Sequence, residues 1–332
     1  MAPSFDNETS LFNFVVRDGN GVKGIVDLRI SKVPQAYIQP PAEQINKKNA
    51  SKCEIPPIDL SKLDGPDHDE EVNQIVRAAE TLGFFQVVNH GREAVYRREV
   101  SPSPLVKYGT SFVPEKEKAL EWKDYISMAY TNDDEALQQW PVECRDVALQ
   151  YLKTSHEMVR KLLEALLGNL GAELDDSKID AFIGKKMVNM NFYPTCPNPE
   201  LTIGVGRHSD MGTLTILLQD GIGGLFVKIP QDVNMEKKGE WVEIPPIPGA
   251  LVINIGDMLQ IWSNGRYKSA EHRVRTTSTK SRVSIPIFTS PQPTQKIAPL
   301  PQVVEKDGVA RYKEFLFSDY MNKAKNLLSK NP

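Results

Sequence analysis

The chain has 332 residues, 40% of them hydrophobic and 25% charged, with a formal net charge of −3. That balance gives no basic surface for nucleic acid or an anionic membrane, and no apolar run reaches the roughly 18 residues of a membrane span. Cys53, Cys144 and Cys196 are odd in number and widely spaced, so they read as reduced thiols of a cytoplasmic protein.

The first residues, Met1-Ala2-Pro3-Ser4-Phe5-Asp6, have neither a basic start nor an apolar core, so no secretory signal is expected. The Asn7 and Asn49 sequons then read as chance. Residues 1–52 look polar and irregular. Within them Gly19-Asn20-Gly21-Val22-Lys23-Gly24 formally fits a dinucleotide fingerprint, but it lacks a strand before it and a helical period after it. It reads as a Gly-rich turn. A short strand is expected at 55–60, then an amphipathic helix over 70–82, on which Val72, Ile75, Val76, Ala79 and Leu82 recur at helical spacing. Gly83 ends it. Residues 84–89 form the next strand, and His90 reads as a turn histidine. His68 and His156 read as surface or packing residues.

Residues 108–112 and 122–130 read as strand-like segments around a short helix. The longest helix is expected over 141–170, with Ala148, Tyr151, Leu152, Ser155, Val159, Leu162, Leu163, Leu166 and Leu170 as its buried stripe, buttressing a sheet. Strands follow near 187–193, 201–208, 213–219, 224–229, 240–244, 250–255, 267–275 and 282–289. Eight short strands with turns between them fit an all-β jelly roll with flanking helices. Residues 232–239, with Lys237 and Lys238, read as a solvated loop. Residues 309–328 read as a terminal helix.

Chemistry concentrates in three of these segments. His208-Ser209-Asp210 supplies an imidazole and a carboxylate two apart, and His272 a second imidazole. A His-x-Asp pair alone is weak, but the later His272 and then Arg282-Val283-Ser284 make the set specific. Two histidines and one carboxylate suit non-haem Fe(II), with positions left open for a co-substrate and O2. A zinc hydrolase could use the same ligands, but it has no need of the Arg-x-Ser, and no H-E-x-x-H occurs. Arg282 and Ser284 offer a cationic fork and a hydroxyl for a carboxylate. Alternation places Asn189, Asn191 and Tyr193 on one face of their strand, and Arg282, Ser284 and Phe288 on one face of theirs.

The run Met187-Val188-Asn189-Met190-Asn191-Phe192-Tyr193-Pro194, together with these motifs, resembles the plant 2-oxoglutarate- and Fe(II)-dependent dioxygenases. Gly21-Val22-Lys23-Gly24, Tyr108-Gly109-Thr110-Ser111-Phe112, Glu121-Trp122-Lys123-Asp124-Tyr125 and Gly204-Val205-Gly206-Arg207-His208 resemble their coumarin-forming branch. The resemblance implies a distorted double-stranded β-helix. It implies Fe(II) on His208, Asp210 and His272, and 2-oxoglutarate held by Arg282, Ser284, Tyr193 and Asn191. It also implies ascorbate as reductant and succinate and CO2 as by-products. Phe288, Asn189, Tyr108 and Phe112 are the implied walls of the substrate pocket. The expected substrate is a small phenolic, either a coumarin or a hydroxycinnamoyl-CoA, and the expected state a cytoplasmic monomer. A jelly-roll binding protein without turnover is the reading from another class; the intact ligands and Arg-x-Ser argue against it. Relatives carry roughly thirty further residues after the Asn-His-Gly run, whereas this sequence passes from Gly91 directly to Arg92. The expected organisation is one compact unit: a mixed helical region over 1–180, a catalytic core over 181–290, and a C-terminal segment over 291–332.

Overall fold

The computed structural model describes residues 5, 7–44, 51–52, 55–90, 103–110, 119–172, 175–233 and 239–322. Two antiparallel-dominated sheets face each other. The larger has eight strands in the order β2 (Ile58–Asp59), β3 (Phe84–Val88), β11 (Leu251–Ile255), β8 (Leu214–Gln219), β13 (Arg282–Ser290), β6 (Lys185–Tyr193), β5 (Asp124–Tyr130) and β4 (Val106–Thr110). The smaller runs β1 (Ser51–Lys52), β10 (Trp241–Glu243), β9 (Leu225–Lys228), β12 (His272–Val274) and β7 (Val205–His208). All eight strands expected over 187–289 form, and their division between two sheets gives the jelly roll.

The period of two divides the work of the large sheet. On one face Val188, Ile216, Ile253, Ile285 and Ile287 join a buried cluster with Leu162, Leu163 and Leu166 of the 25-residue helix α5 (Arg145–Asn169). This helix covers the sheet as the apolar stripe requires. It starts at Arg145 instead of residue 141, after a turn over 142–144, and Asp133–Gln139 forms a separate helix, α4, with Asn132 accepting from the Glu135 N–H at its start. On the opposite face Asn189, Asn191, Thr215, Leu217, Asn254, Ser284, Pro286 and Phe288 line a cavity shared with the small sheet.

Three expectations need correction. Residues 8–27 are not irregular: a helix α1 (Glu8–Phe12), one π-helical turn and a helix α2 (Gly21–Asp27) occupy them. The signal was hidden because α2 is held by a distant group. The Val22 and Lys23 N–H groups donate to Asp124 at 2.7 and 2.9 Å. A Cβ on Gly21 would sit 2.5 Å from that carboxylate, so the position needs glycine. The 55–60 strand shrinks to β2, and a 3-10 turn over Leu60–Asp64 follows it. The terminal helix is displaced as well. A helix α8 (Pro301–Asp307), opened by a proline, ends at Gly308 with φ 73°, and a short strand β15 (Phe315–Leu316) precedes helical residues 317–322. The helix α3 (His68–Thr81) agrees with expectation, and Gly83 closes it with φ 70°. A side chain there would strike the Lys268 carbonyl. The sequence junction after Gly91, Cys53 and the Lys237–Lys238 loop lie outside the described residues.

Candidate functional site

The site forms where the small sheet faces the polar side of the large one. β7 and β12 pair antiparallel with His208 directly opposite His272, and the two rings lie 4.2 Å apart between centroids. Asp210 follows β7 in a turn whose carbonyl accepts from the Asp257 N–H at 2.8 Å. Asp210 Oδ1 lies 3.8 Å from His208 Nε2 and 3.7 Å from His272 Nε2. Donor atoms of the three residues fall within 4.8 Å of one another, so they could hold one metal ion.

Hydrogen bonds behind the three groups decide which atoms face inward. His208 Nδ1 approaches the Gly206 carbonyl at 2.8 Å, and His272 Nδ1 the Ala270 carbonyl at 3.3 Å. A carbonyl can only accept, so each Nδ1 carries the proton and each Nε2 keeps its lone pair for a metal. Asn254 Nδ2 donates to Asp210 Oδ2 at 3.1 Å, which leaves Oδ1 toward the imidazoles. Burial alone would raise the Asp210 carboxyl, but His272, His208 and the Asn254 and Thr215 hydrogen bonds hold it below the ordinary range. Burial, with His208 beside it, pushes His272 down to about 4 despite Asp210. An anionic carboxylate and two neutral imidazoles are the protonation states a divalent cation requires.

Arg282 lies in the same cavity and is 1% exposed. Its Nε donates to the Ile222 carbonyl at 3.1 Å and its Nη2 to Gln219 at 3.0 Å. Its Nη1 is buried without a protein partner. A buried guanidinium with one fixed and unsatisfied nitrogen fits a carboxylate ligand. Ser284 stands on the same strand face, and the Arg282 guanidinium sits 5.2 Å from the centre of the Tyr193 ring. The donor set and this orphaned nitrogen therefore fit a metal and a dicarboxylate side by side.

The chain resembles known proteins. A family model described as the 2OG-Fe(II) oxygenase superfamily matches residues 184–291, and one described as non-haem dioxygenase in morphine synthesis N-terminal matches residues 55–101. The chain is 61% identical to scopoletin 8-hydroxylase of Arabidopsis thaliana, over 97% of this chain and 95% of that one. The chain belongs to the 2OG-Fe(II) oxygenase superfamily. This oxygenase is also 46% identical to a feruloyl CoA ortho-hydroxylase of Ipomoea batatas, over 94% and 92% of the two chains. Among solved structures, JOX2 in complex with 2OG, Fe and JA shares 31% identity and a TM-score of 0.75, over 90% of this chain and 91% of that one. The dioxygenase for auxin oxidation in rice has a TM-score of 0.66 at 26% identity, over 82% and 96%. The oxygenase is thus a 2-oxoglutarate-dependent dioxygenase, with Fe(II) and 2-oxoglutarate as its cofactors.

The cavity brings together most of the residues singled out from sequence: His208, Asp210, His272, Arg282, Ser284, Tyr193, Asn191, Asn189 and Phe288. Tyr108 is placed elsewhere. It lies on β4, the outermost strand of the large sheet, 41% exposed and not among the lining residues. Phe112 is outside the described residues. His90 does sit in a turn, against the Gly249 carbonyl at 2.8 Å.

Sequence reading missed Asn254, Thr215, Gln219, Glu121 and Lys123. Asn254 did leave a signal, as the lone polar residue in the apolar run Leu251-Val252-Ile253-Asn254-Ile255. Glu121 and Lys123 stood in a motif that carries the family resemblance, but it gave them no role, because charged residues are common and their burial appears only in the fold. Glu121 Oε1 accepts from the Gly206 N–H at 2.6 Å, and Glu121 Oε2 pairs with Lys123 Nζ at 2.7 Å. Burial opposes both charges, yet each is sustained by the other: Lys123 holds Glu121 below its ordinary range, and Glu121, with Tyr193, holds Lys123 above its own.

Proposed function

We propose that the protein hydroxylates a coumarin, converting scopoletin to fraxetin by introducing a hydroxyl at the 8 position. In the same turnover 2-oxoglutarate and O2 become succinate and CO2. His208, Asp210 and His272 hold the Fe(II), and Arg282 and Ser284 grip the distal carboxylate of 2-oxoglutarate. Tyr193 and Asn191 line the same co-substrate. Phe288 and Asn189 face the substrate. Bound Fe(II) with 2-oxoglutarate supplies the oxidising power. The chain's own groups position the reactants, fix the protonation of the ligands and keep water from the reacting carbon. Ascorbate serves as reductant. The enzyme works as a cytoplasmic monomer with no nucleic-acid or membrane partner.

The observation that carries this reading is the unpartnered Nη1 of buried Arg282, in one cavity with the His208–Asp210–His272 cluster. The choice of scopoletin is supported by the 61% identity to a scopoletin 8-hydroxylase, against 46% to feruloyl CoA ortho-hydroxylases. The experiment is succinate release with Fe(II), ascorbate and 2-oxoglutarate, adding scopoletin or feruloyl-CoA in parallel. Stimulation by scopoletin with fraxetin formed is the expected result. Stimulation by feruloyl-CoA alone would keep the chemistry and replace the substrate. No succinate with either would sink the coumarin reading.

A further inference from the structure

Two cations line the cavity among its described residues, Arg282 and Lys123. Arg282 is committed to the co-substrate in the reading above. Lys123 has no role in it. It leads into β5, with its side chain only 15% exposed. An ammonium is expensive to bury and is kept where it meets a partner. One partner is Glu121, at 2.7 Å. An ammonium has three donors and no acceptor, so the Glu121 contact leaves it further N–H donors. The Nζ lies 5.6 Å from the centre of the Tyr125 ring, whose face completes a cation–π contact on one side. The small-sheet residues that share the cavity, apart from the two histidines, are Val205, Leu225 and Val274, and none of their side chains can accept a hydrogen bond.

We infer that Lys123 is a specificity-determining residue: its ammonium donates a hydrogen bond to the phenolic oxygen of the bound coumarin. This rests on the coumarin reading and deepens it. A hydroxycoumarin ring is flat and offers few polar atoms. Its phenolic oxygen neighbours the carbon to be hydroxylated, so an anchor on that oxygen sets which ring carbon is presented to the metal. A donor-only group such as ammonium recognises the oxygen through its lone pairs and draws electron density onto it, which makes Lys123 a reader of the phenol.

The test compares scopoletin with 6-methoxycoumarin, which lacks the phenolic hydroxyl. Binding of both is measured by calorimetry without O2, in the presence of Fe(II) and 2-oxoglutarate, for the wild type, Lys123→Met and Lys123→Arg. The wild type should prefer scopoletin by about tenfold or more, the value of a hydrogen bond to a charged group. Lys123→Met should bind the two coumarins alike, and Lys123→Arg, which keeps a cationic donor, should keep most of the preference. The 2-oxoglutarate requirement should be unchanged in both. If Lys123→Met fails to fold, Lys123→Leu, which also has no donor, replaces it, with the same loss of preference expected. An undiminished preference in the uncharged variant overturns the inference. So does a raised 2-oxoglutarate requirement with the preference intact, which would place Lys123 on the co-substrate. These outcomes leave wild-type turnover of scopoletin in place. A wild type that neither binds nor turns over scopoletin instead overturns the coumarin reading, and this inference with it.

Discussion

The two walls of the cavity are built differently. The small-sheet wall is apolar apart from its two imidazoles: Val205, Leu225 and Val274 surround His208 and His272. The large-sheet side carries the amides, hydroxyls and permanent charges, with Lys123, Asn189, Asn191, Thr215, Asn254, Arg282 and Ser284. The apolar neighbours of the two imidazoles lower the dielectric on that side of the cluster, where His272 is buried and the His208 side chain is 40% exposed. Binding a dicarboxylate and an oxygenated aromatic needs directional donors, which strands of alternating polarity place on one face. In the proposed reading the small sheet therefore serves reactivity, and the large sheet serves recognition. Breaking one wall at a time should separate the two.

The largest effect is expected on the small-sheet wall. His272→Ala removes a proposed ligand from a pair of strands whose other contacts remain, so the fold should survive while the metal is lost. Loss of a hydrogen-bonded partner behind a ligand typically lowers affinity or activity 10–100-fold, so loss of the ligand itself should lower activity by at least about a thousandfold. Metal content by atomic absorption, succinate release and circular dichroism check the three parts. Full turnover in this variant would remove His272 from the metal site.

On the large-sheet wall, Arg282→Ala should act on the co-substrate. A charge-assisted hydrogen bond is worth about 1.5–3 kcal/mol, so the 2-oxoglutarate KM should rise by about 10–100-fold. Metal binding in the absence of 2-oxoglutarate should change little, because Arg282 touches Ile222 and Gln219, not the triad. An unchanged KM for 2-oxoglutarate would mean that the buried Nη1 serves another purpose.

This contrast also explains what could be read in the sequence. Strand alternation put Asn189, Asn191, Tyr193, Arg282 and Ser284 on faces that do converge in one cavity. The period of two is local, and a sandwich has only one interior for such faces to share. The α5 stripe was legible for the same reason, since helical spacing marks a buried face wherever the helix lies. What could not be read depends on distant partners. Helix α2 exists because Asp124, about a hundred residues away, receives its first N–H groups. Tyr108 looked like a cavity aromatic in its motif, but β4 became the outermost strand of the sheet, which takes it to the surface. Lys123 and Glu121 belong to a quoted motif, but their pairing at the cavity shows only when β5 and β7 are brought together.

Asn254 offers a finer test, because it belongs to the large sheet yet braces Asp210, a proposed metal ligand. Its Nδ2 donates to Asp210 Oδ2 at 3.1 Å and so leaves Oδ1 free for the proposed ion. Asn254→Ala should weaken Fe(II) affinity by about tenfold, the lower end of the effect expected for a group behind a ligand. The 2-oxoglutarate requirement, measured at saturating iron, should stay near the wild-type value. If iron affinity is unaffected, Thr215 alone suffices to orient Asp210.

An effect on stability instead of on metal or co-substrate binding should come from a residue that ties the two walls together. Glu121 precedes β5 of the large sheet, pairs with Lys123, and accepts from the Gly206 N–H of β7 in the small sheet. Glu121→Gln keeps an oxygen for Gly206 and removes only the charge. Breaking a fully buried pair costs about 3–5 kcal/mol; with these side chains 15% and 22% exposed, about 2 kcal/mol is expected. The pH dependence has a definite sign. The folded carboxyl is held below its ordinary value of 4.5, so the unfolded chain takes up a proton first as the solution is acidified. The stabilisation is complete above that value and is lost as pH falls through the folded pKa. Lys123 is held above its ordinary 10.5, so the pair also persists at alkaline pH beyond a free lysine's range. The gap in melting temperature between wild type and Glu121→Gln should therefore be widest near neutrality and should close on acidification below 4.5. A gap that is independent of pH would mean that the substitution disturbs packing between the walls instead of removing a charge that joins them.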